Sequence, residues 1–144
     1  KEYSYKFPNY LSFLALKNLE FVKSDIEKRY DKVLVYYQNL KGINEIFMPN
    51  ISNKENRYSN AFLEFPIIIE NNRKYELLEF LRNKNIFLRH HWYVNNHRFF
   101  NFKKLNKLDK TDYLENSVIC LPCHHRITPE AQDNIIKNII EFYN

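Results

Sequence analysis

The sequence predicts an α+β domain, in which one long N-terminal helix is followed by a small, mainly antiparallel sheet of about three strands packed by helices. Three observations predict this class: a long stretch with helical spacing of apolar residues, short apolar segments beside proline or asparagine, and a second helical pattern at the end. With 144 residues, 44% of them hydrophobic, the chain can bury one core.

The first predicted element is an amphipathic helix over residues 11–40, where apolar residues recur at intervals of three and four. Pro8 and Asn9 precede it, and an asparagine side chain can cap a helix by accepting amide protons of the first turn. Gly42 is the only glycine of the chain and is placed to end this helix. Because phosphate-binding loops are built from several glycines, a Walker loop and a dinucleotide-binding loop are excluded.

Three short apolar segments are predicted to form the sheet: residues 62–69, 86–90 and 117–121. In the first of them, alternation would place four apolar side chains on one face, namely Leu63, Phe65, Ile67 and Ile69. Pro66 cannot donate to a ladder, so we expect this strand at an edge of the sheet. Residues 49–60 are polar and without period and are predicted to form a loop, whereas residues 91–112 are left unassigned.

Two further helices are predicted from their caps and apolar stripes. Asn72 is the expected cap of a short helix over residues 72–83, with Leu77, Leu78 and Leu81 turned inward. Thr128 followed by Pro129 is a strong start signal, because a hydroxyl cap precedes a proline at the first helical position. An apolar stripe then continues this helix to the end of the chain.

The segment Cys120-Leu121-Pro122-Cys123-His124 allows several interpretations. Its C-x-x-C-H spacing matches c-type haem attachment, although such attachment follows export and no leader is visible. The thiols could also bind zinc with His124 or His125, for which a second ligand pair at suitable spacing is missing. A redox pair normally starts a helix, which this segment does not. We favour two buried free thiols.

The aromatic and basic stretch after residue 88 could bind a sugar or a nucleotide by stacking and hydrogen bonding, or could be a basic surface loop. Its candidate residues are Arg89, His90, His91, Trp92, His97 and Arg98. A net charge of +5 permits RNA binding, but the charges are mixed rather than clustered. We therefore expect no nucleic-acid partner.

No apolar run is long enough to span a membrane, so we also expect no membrane contact and a cytoplasmic location.

The order of these segments resembles the C-terminal part of the DegT/DnrJ/StrS sugar aminotransferases, fold-type I enzymes that use pyridoxal phosphate. The matching pieces are Pro8-Asn9-Tyr10, Asp25-Ile26-Glu27-Lys28-Arg29, Phe65-Pro66-Ile67-Ile68-Ile69, Leu77-Leu78-Glu79-Phe80-Leu81, Cys120-Leu121-Pro122 and Ile127-Thr128-Pro129-Glu130. Asn85 stands where the family usually has glycine, which asparagine can replace because it also adopts left-handed backbone angles. The chain departs from the family at Leu11, where an arginine is frequent, and at Cys123-His124, where a small or polar pair is frequent.

The resemblance implies what this chain contributes to a larger enzyme. Residues 1–144 would form the C-terminal small domain, with a connecting helix over residues 1–42 and an α+β subdomain over residues 60–144. The large domain, with the lysine that bonds covalently to pyridoxal phosphate, would lie outside the chain, so the chain alone should be inactive and holds no catalytic residue. We thus expect it to be part of a longer protein whose Lys1 is not the natural start.

The resemblance also assigns binding roles to four residues. Asn9 would reach the cofactor phosphate of the partner subunit in a homodimer. Arg89 would hold a substrate carboxylate, and His91 and Trp92 would line the entrance for the sugar nucleotide. The implied reaction transfers an amino group from glutamate to a nucleotide-linked keto-sugar that is used for surface polysaccharide, lipopolysaccharide or glycan synthesis.

Overall fold

Helices and a small sheet alternate in the computed structural model, which describes residues 8–51, 60–89, 95 and 108–144. The elements in these ranges are α1 (Asn9–Leu40), β1 (Ile46–Phe47), β2 (Phe65–Ile69), α2 (Lys74–Asn83), α3 (Asp109–Ser117), β3 (Val118–Leu121) and α4 (Pro129–Tyr143). The predicted α+β class, with a long first helix and a small antiparallel sheet, is confirmed. None of the helices in the described ranges is long and apolar enough to cross a membrane.

The sheet has the order β1-β2-β3, with both neighbouring pairs antiparallel. The prediction that Pro66 marks an edge strand is therefore wrong, because β2 lies in the middle. Pro66 pairs with Cys120 of β3, while β1 has only two residues and pairs with Ile68 and Ile69. Pro66 thus lies beyond the end of β1, where β2 has a neighbour on one side only, and its missing N–H is tolerated there as at an edge.

Two of the predicted strands are shorter than expected. Residues 62–64 do not extend β2, because Phe62 has a φ of 41° and the chain turns before Phe65. Leu63 is accordingly 77% exposed and does not share the buried face. Of the predicted strand over residues 86–90, the structure describes residues 86–89, in which Arg89 forms an isolated bridge with Cys120 and residues 86–88 are irregular.

The core lies on the face of the sheet that α1, α2 and α4 cover. β2 contributes Phe65, Ile67 and Ile69, all fully buried, as the alternation predicted. The other fully buried apolar side chains are Val33, Tyr36, Leu40, Leu77, Leu81, Ile119, Leu121 and Ile139, with Cys123 beside them. Each large apolar side chain stabilises the fold by roughly 1.5–3 kcal/mol relative to exposure. Leu78, also expected to turn inward, is half-buried.

One of the three predicted helix caps is confirmed. The Thr128 hydroxyl accepts a 3.2 Å hydrogen bond from the Ala131 N–H, and Pro129 follows at the first position of α4. Asn9 is instead the first helical residue of α1, with Pro8 at the cap position and no side-chain cap bond. Asn72 has a φ of 57°, and α2 starts two residues later at Lys74, so the second predicted cap is also wrong. Asn85 has the expected left-handed φ, at 60°.

The N-terminal half of α1 has no buried residue. Burial in this helix starts at Tyr30, near its twenty-second position. The half before it carries large apolar side chains that are each at least 42% exposed: Tyr10, Phe13, Leu14, Leu16, Leu19, Phe21 and Val22. At 100° per residue these side chains point in several directions and do not form one stripe. A helix that is apolar on several faces is normally enclosed by other structure.

Candidate functional site

The predicted site residues that the structure describes are Asn9 and Arg89, and both are exposed. His91 and Trp92 lie outside the described residues, as do His90, His97 and Arg98. Asn9 lies in the first turn of α1, roughly 30 Å along the helix axis from Tyr30, where α1 meets the core. Arg89 is bridged to the sheet at Cys120. The fold therefore does not bring Asn9 and Arg89 together within one chain.

The first turn of α1 favours an anion near Asn9. No side chain caps it, and it contains no acidic residue, so amide protons of the first turn lack side-chain acceptors. The partial positive charge of a helix N-terminus attracts phosphate and carboxylate groups. The Asn9 amide can add one hydrogen-bond donor to these backbone donors.

Arg89 lines an open cleft of about 470 Å³ between residues 85–89 and the start of α4. The other polar side chains that line the cleft are Glu64, Asn85, His124 and Asn134. Burial and the nearby His125, Arg29, Arg126 and Lys32 lower the pKa of His124, which keeps its imidazole neutral near pH 7. The lining thus combines one cation, one carboxylate and three neutral polar groups.

The two cysteines are buried free thiols, as the sequence analysis favoured. The Cys123 thiol donates a 2.9 Å hydrogen bond to the Phe62 carbonyl oxygen. Burial, and secondly the Glu64 carboxylate, raises the pKa of Cys120 to about 12, and burial raises the pKa of Cys123 to about 11. Protonated thiols are poor nucleophiles and poor metal ligands. Within the described ranges no three His, Cys, Asp or Glu residues group together as a metal site would require.

Lys74 is a buried cation that the sequence analysis missed. Its side chain is fully buried, and its Nζ donates a 2.6 Å hydrogen bond to the Glu115 carbonyl oxygen at the end of α3. Burial lowers the pKa of Lys74, and the Glu115 carboxylate opposes this shift. The sequence did contain a signal, because Lys74 precedes Leu77 by three residues and so shares the inward face of α2. Since its amine is engaged by the backbone, Lys74 has a structural role.

Polar contacts fix α1 against the segment between β3 and α4. The Tyr36 hydroxyl donates to the Pro122 carbonyl oxygen at 3.1 Å, and the Lys32 ammonium donates to the Ile127 carbonyl oxygen. In return the Gln132 side-chain amide donates to the Lys32 carbonyl oxygen at 2.7 Å. Pro122 and Ile127 both line the cleft, so these contacts hold one of its walls.

This architecture is the fold of a domain found in solved aminotransferases. A DegT DnrJ EryC1 StrS aminotransferase from Brucella abortus superposes with a TM-score of 0.75 at 22% identity, over 90% of this chain and 34% of that one. The protein NtdA from Bacillus subtilis, solved with bound cofactor PMP, superposes with a TM-score of 0.69 at 16% identity, over 81% of this chain and 28% of that one.

The sequence identifies the family. The model of the DegT/DnrJ/EryC1/StrS aminotransferase family matches residues 2–140, and the chain belongs to this family. It is 27% identical over 133 residues to the dTDP-4-amino-4,6-dideoxy-D-glucose transaminase of Shigella dysenteriae, covering 88% of this chain and 35% of that protein. The resemblance inferred from the sequence is confirmed. The chain spans about a third of the length of the relatives it matches.

Proposed function

We propose that this chain is the C-terminal small domain of a pyridoxal-phosphate-dependent sugar aminotransferase and that a large domain completes it. The observation that carries the proposal is the exposed apolar half of α1. Its seven large apolar side chains, from Tyr10 to Val22, point in several directions, and each is at least 42% exposed. The family match over residues 2–140 supports a large domain of the same enzyme as the body that covers this half.

In this proposal residues 1–42 form the connecting helix and residues 60–144 form the α+β subdomain. The large domain carries the covalent lysine, and this chain shapes the rim of the active site. Lys74 is unsuited to the covalent role, because its amine is buried and donates to a backbone carbonyl. The chain alone would therefore not transfer amino groups.

The exposed first turn of α1 suits the cofactor phosphate, because it has no side-chain cap and no acidic residue. Asn9 would donate one hydrogen bond to the phosphate, beside the amide protons of the helix terminus. When bound, pyridoxal phosphate supplies the electron sink for amino-group transfer. Because Asn9 lies far along α1 from the core while Arg89 is bridged to the sheet, a site that uses both residues would take them from two copies. This supports a homodimer in which Asn9 reaches the partner's cofactor.

Arg89 would hold the substrate carboxylate, since its exposed guanidinium can bind a carboxylate through two parallel hydrogen bonds. His91 and Trp92 follow Arg89 by two and three residues in the sequence and would line the entrance for the sugar nucleotide. Glutamate would donate the amino group, and a nucleotide-linked keto-sugar would accept it for surface polysaccharide, lipopolysaccharide or glycan synthesis. The match to a Shigella transaminase named for a dTDP-linked amino sugar supports this substrate class. Such a protein would act in the cytoplasm.

The test is a chimaera in which this chain replaces the matched third of the Shigella transaminase. We expect glutamate to change the absorbance of the bound cofactor and an amino group to reach a dTDP-linked keto-sugar, while the 144-residue chain alone shows neither. The Asn9→Ala variant should weaken cofactor binding, and the Arg89→Gln variant should mainly raise the KM for glutamate. A folded, dimeric chimaera without amino transfer, beside an active parent enzyme, would contradict the proposal.

A further inference from the structure

Helix α3 is attached to the rest of the domain without a buried apolar side chain of its own. Its buried residues are Glu115 and Ser117, whereas its large apolar side chains, Tyr113 and Leu114, are 47% and 41% exposed. The helices α1, α2 and α4 each bury apolar side chains in the core. The hydrophobic effect that holds those three helices therefore contributes little to the docking of α3.

The sequence of α3 also gives it little helical stability of its own. More than half of its nine positions are aspartate, threonine, asparagine or serine, which are weak helix formers. Leu108 stands at the cap position, and no side-chain cap bond is formed there. Isolated helices shorter than about 12–15 residues are marginal in water. The helical form of α3 therefore depends on contacts with the rest of the domain.

Polar contacts in both halves of α3 hold it in place. The fully buried Lys74 of α2 donates a 2.6 Å hydrogen bond from its Nζ atom to the carbonyl oxygen of Glu115. In the first half, the Asn95 side-chain amide donates a 3.1 Å hydrogen bond to a carboxylate oxygen of Asp112. When such contacts open, bonds to water replace them, and the Lys74 ammonium regains its hydration. Detaching α3 is therefore much less costly than opening the apolar core.

We propose that α3 is a strap that opens and closes while the core stays folded, and that Lys74 and Asn95 hold it closed. In the proposed enzyme, the strap determines whether Asn95, six residues after Arg89, is held to the domain. The inference rests on the proposed function for this consequence alone. The opening itself is a property of the 144-residue chain.

The experiment measures hydrogen exchange of the folded 144-residue chain by NMR at several low concentrations of urea. Amides of residues 112–117 should exchange at least about tenfold faster than those of Val33 and Ile139 in the core. Their rates should also change little with urea, because a local opening exposes little surface, whereas the core rates should rise steeply.

A core variant separates opening of the strap from unfolding of the whole domain. Ile139→Val removes part of a fully buried side chain and should speed core exchange about two- to tenfold. The α3 amides should keep their rate in this variant, because Ile139 stays buried when only the strap opens.

Two further variants test the contacts that hold the strap. Lys74→Met should speed α3 exchange about thirtyfold or more, and Asn95→Ala, which removes a smaller contact, about two- to tenfold. Lys84→Met is the matched control, because Lys84 pairs with Glu141 of α4 and not with α3, so the α3 rates should stay within about twofold.

The inference is overturned if α3 exchanges at the rate of the core, or if Ile139→Val speeds the α3 and core amides equally. It is also overturned if a folded Lys74→Met or Asn95→Ala variant keeps the original α3 rates. The exchange experiment uses neither cofactor nor large domain, so the strap can fail while the chimaera transfers amino groups, and the reverse can also occur.

Discussion

The hydroxyl of Tyr36 donates a 3.1 Å hydrogen bond to the carbonyl oxygen of Pro122 and so joins the C-terminal end of α1 to the residue that follows β3. Tyr36 is fully buried, and its ring stacks on Phe65 of β2 with centroids 6.4 Å apart. Pro122 also lines the cleft. One side chain thus connects the long helix, the centre of the sheet and the wall of the candidate binding site.

Replacing Tyr36 by phenylalanine should destabilise the fold by about 1–2 kcal/mol, because the part-buried Pro122 carbonyl oxygen loses its donor. Urea unfolding followed by circular dichroism would measure the change. Tyr75→Phe is the control, since Tyr75 is 56% exposed and its replacement should stay within about 0.5 kcal/mol. Equal unfolding midpoints for the two variants would show that the Tyr36 hydroxyl contributes nothing.

Replacing Lys74 by methionine should destabilise the fold by about 2–4 kcal/mol, since the Glu115 carbonyl oxygen loses its donor and the nearby carboxylate loses a cation. The free energy of unfolding in urea is again the measurement. Lys84→Met is the matched control, because Lys84 pairs with Glu141 at 2.8 Å between side chains that are 43% and 55% exposed. Such an exposed pair contributes less than about 1 kcal/mol. A smaller loss for Lys74 than for Lys84 would contradict the buried-cation account.

The two thiols should react slowly in the folded chain and destabilise it at high pH. The pKa of Cys120 is raised to about 12 and that of Cys123 to about 11, from an ordinary 9.0. A raised pKa means that the folded state holds the proton more tightly than the unfolded state. The stability this contributes is complete below pH 9 and is lost as the pH rises through 11 and then 12.

Alkylation by iodoacetamide near pH 8 would measure the thiol reactivity, with the urea-unfolded chain as the control. We expect rapid modification only after unfolding. A parallel series of urea melts should show a falling free energy of unfolding above pH 9. Rapid modification of both cysteines in the folded chain would instead indicate accessible thiolates and reopen the metal and redox interpretations.

Replacing Asn85 by glycine should stabilise the fold slightly, and replacing it by alanine should destabilise it by about 1 kcal/mol. Asn85 has a φ of 60° in the turn after α2, a left-handed conformation that glycine adopts freely and alanine does not. Thermal melts of the three proteins would rank them. A melting temperature for Asn85→Ala at or above that of the original chain would contradict the left-handed turn.

Local signals in the sequence predicted the elements whose boundaries depend on adjacent residues. Thr128 and Pro129 begin α4 because a cap bond and a fixed φ act within one turn. Asn85 could likewise be assigned a left-handed conformation from its residue type and position. The long helix α1 was predicted from the spacing of its apolar residues. That spacing did not indicate which of these side chains are buried, and those in the first half of α1 are exposed.

Features that depend on distant partners could not be predicted in this way. Pro66 was expected at an edge, and its true place depends on the two-residue length of β1, which is too short to leave an apolar pattern. The fully buried Lys74 depends on Glu115, which lies 41 residues away. The cleft is likewise assembled from separate segments, so Arg89 could be predicted from the sequence, whereas its neighbours Phe87, His124 and Asn134 could not.

The most direct test of the central claim compares hydrogen exchange along α1 in the 144-residue chain and in the chimaera with the Shigella large domain. A helix segment without tertiary packing opens readily, so amides of residues 13–24 should exchange quickly in the chain alone and slowly in the chimaera. Amides around Val33 and Tyr36 are the internal control and should be protected in both. Fast exchange of residues 13–24 in a folded, dimeric chimaera would show that the large domain does not cover this half of α1, which would contradict the account.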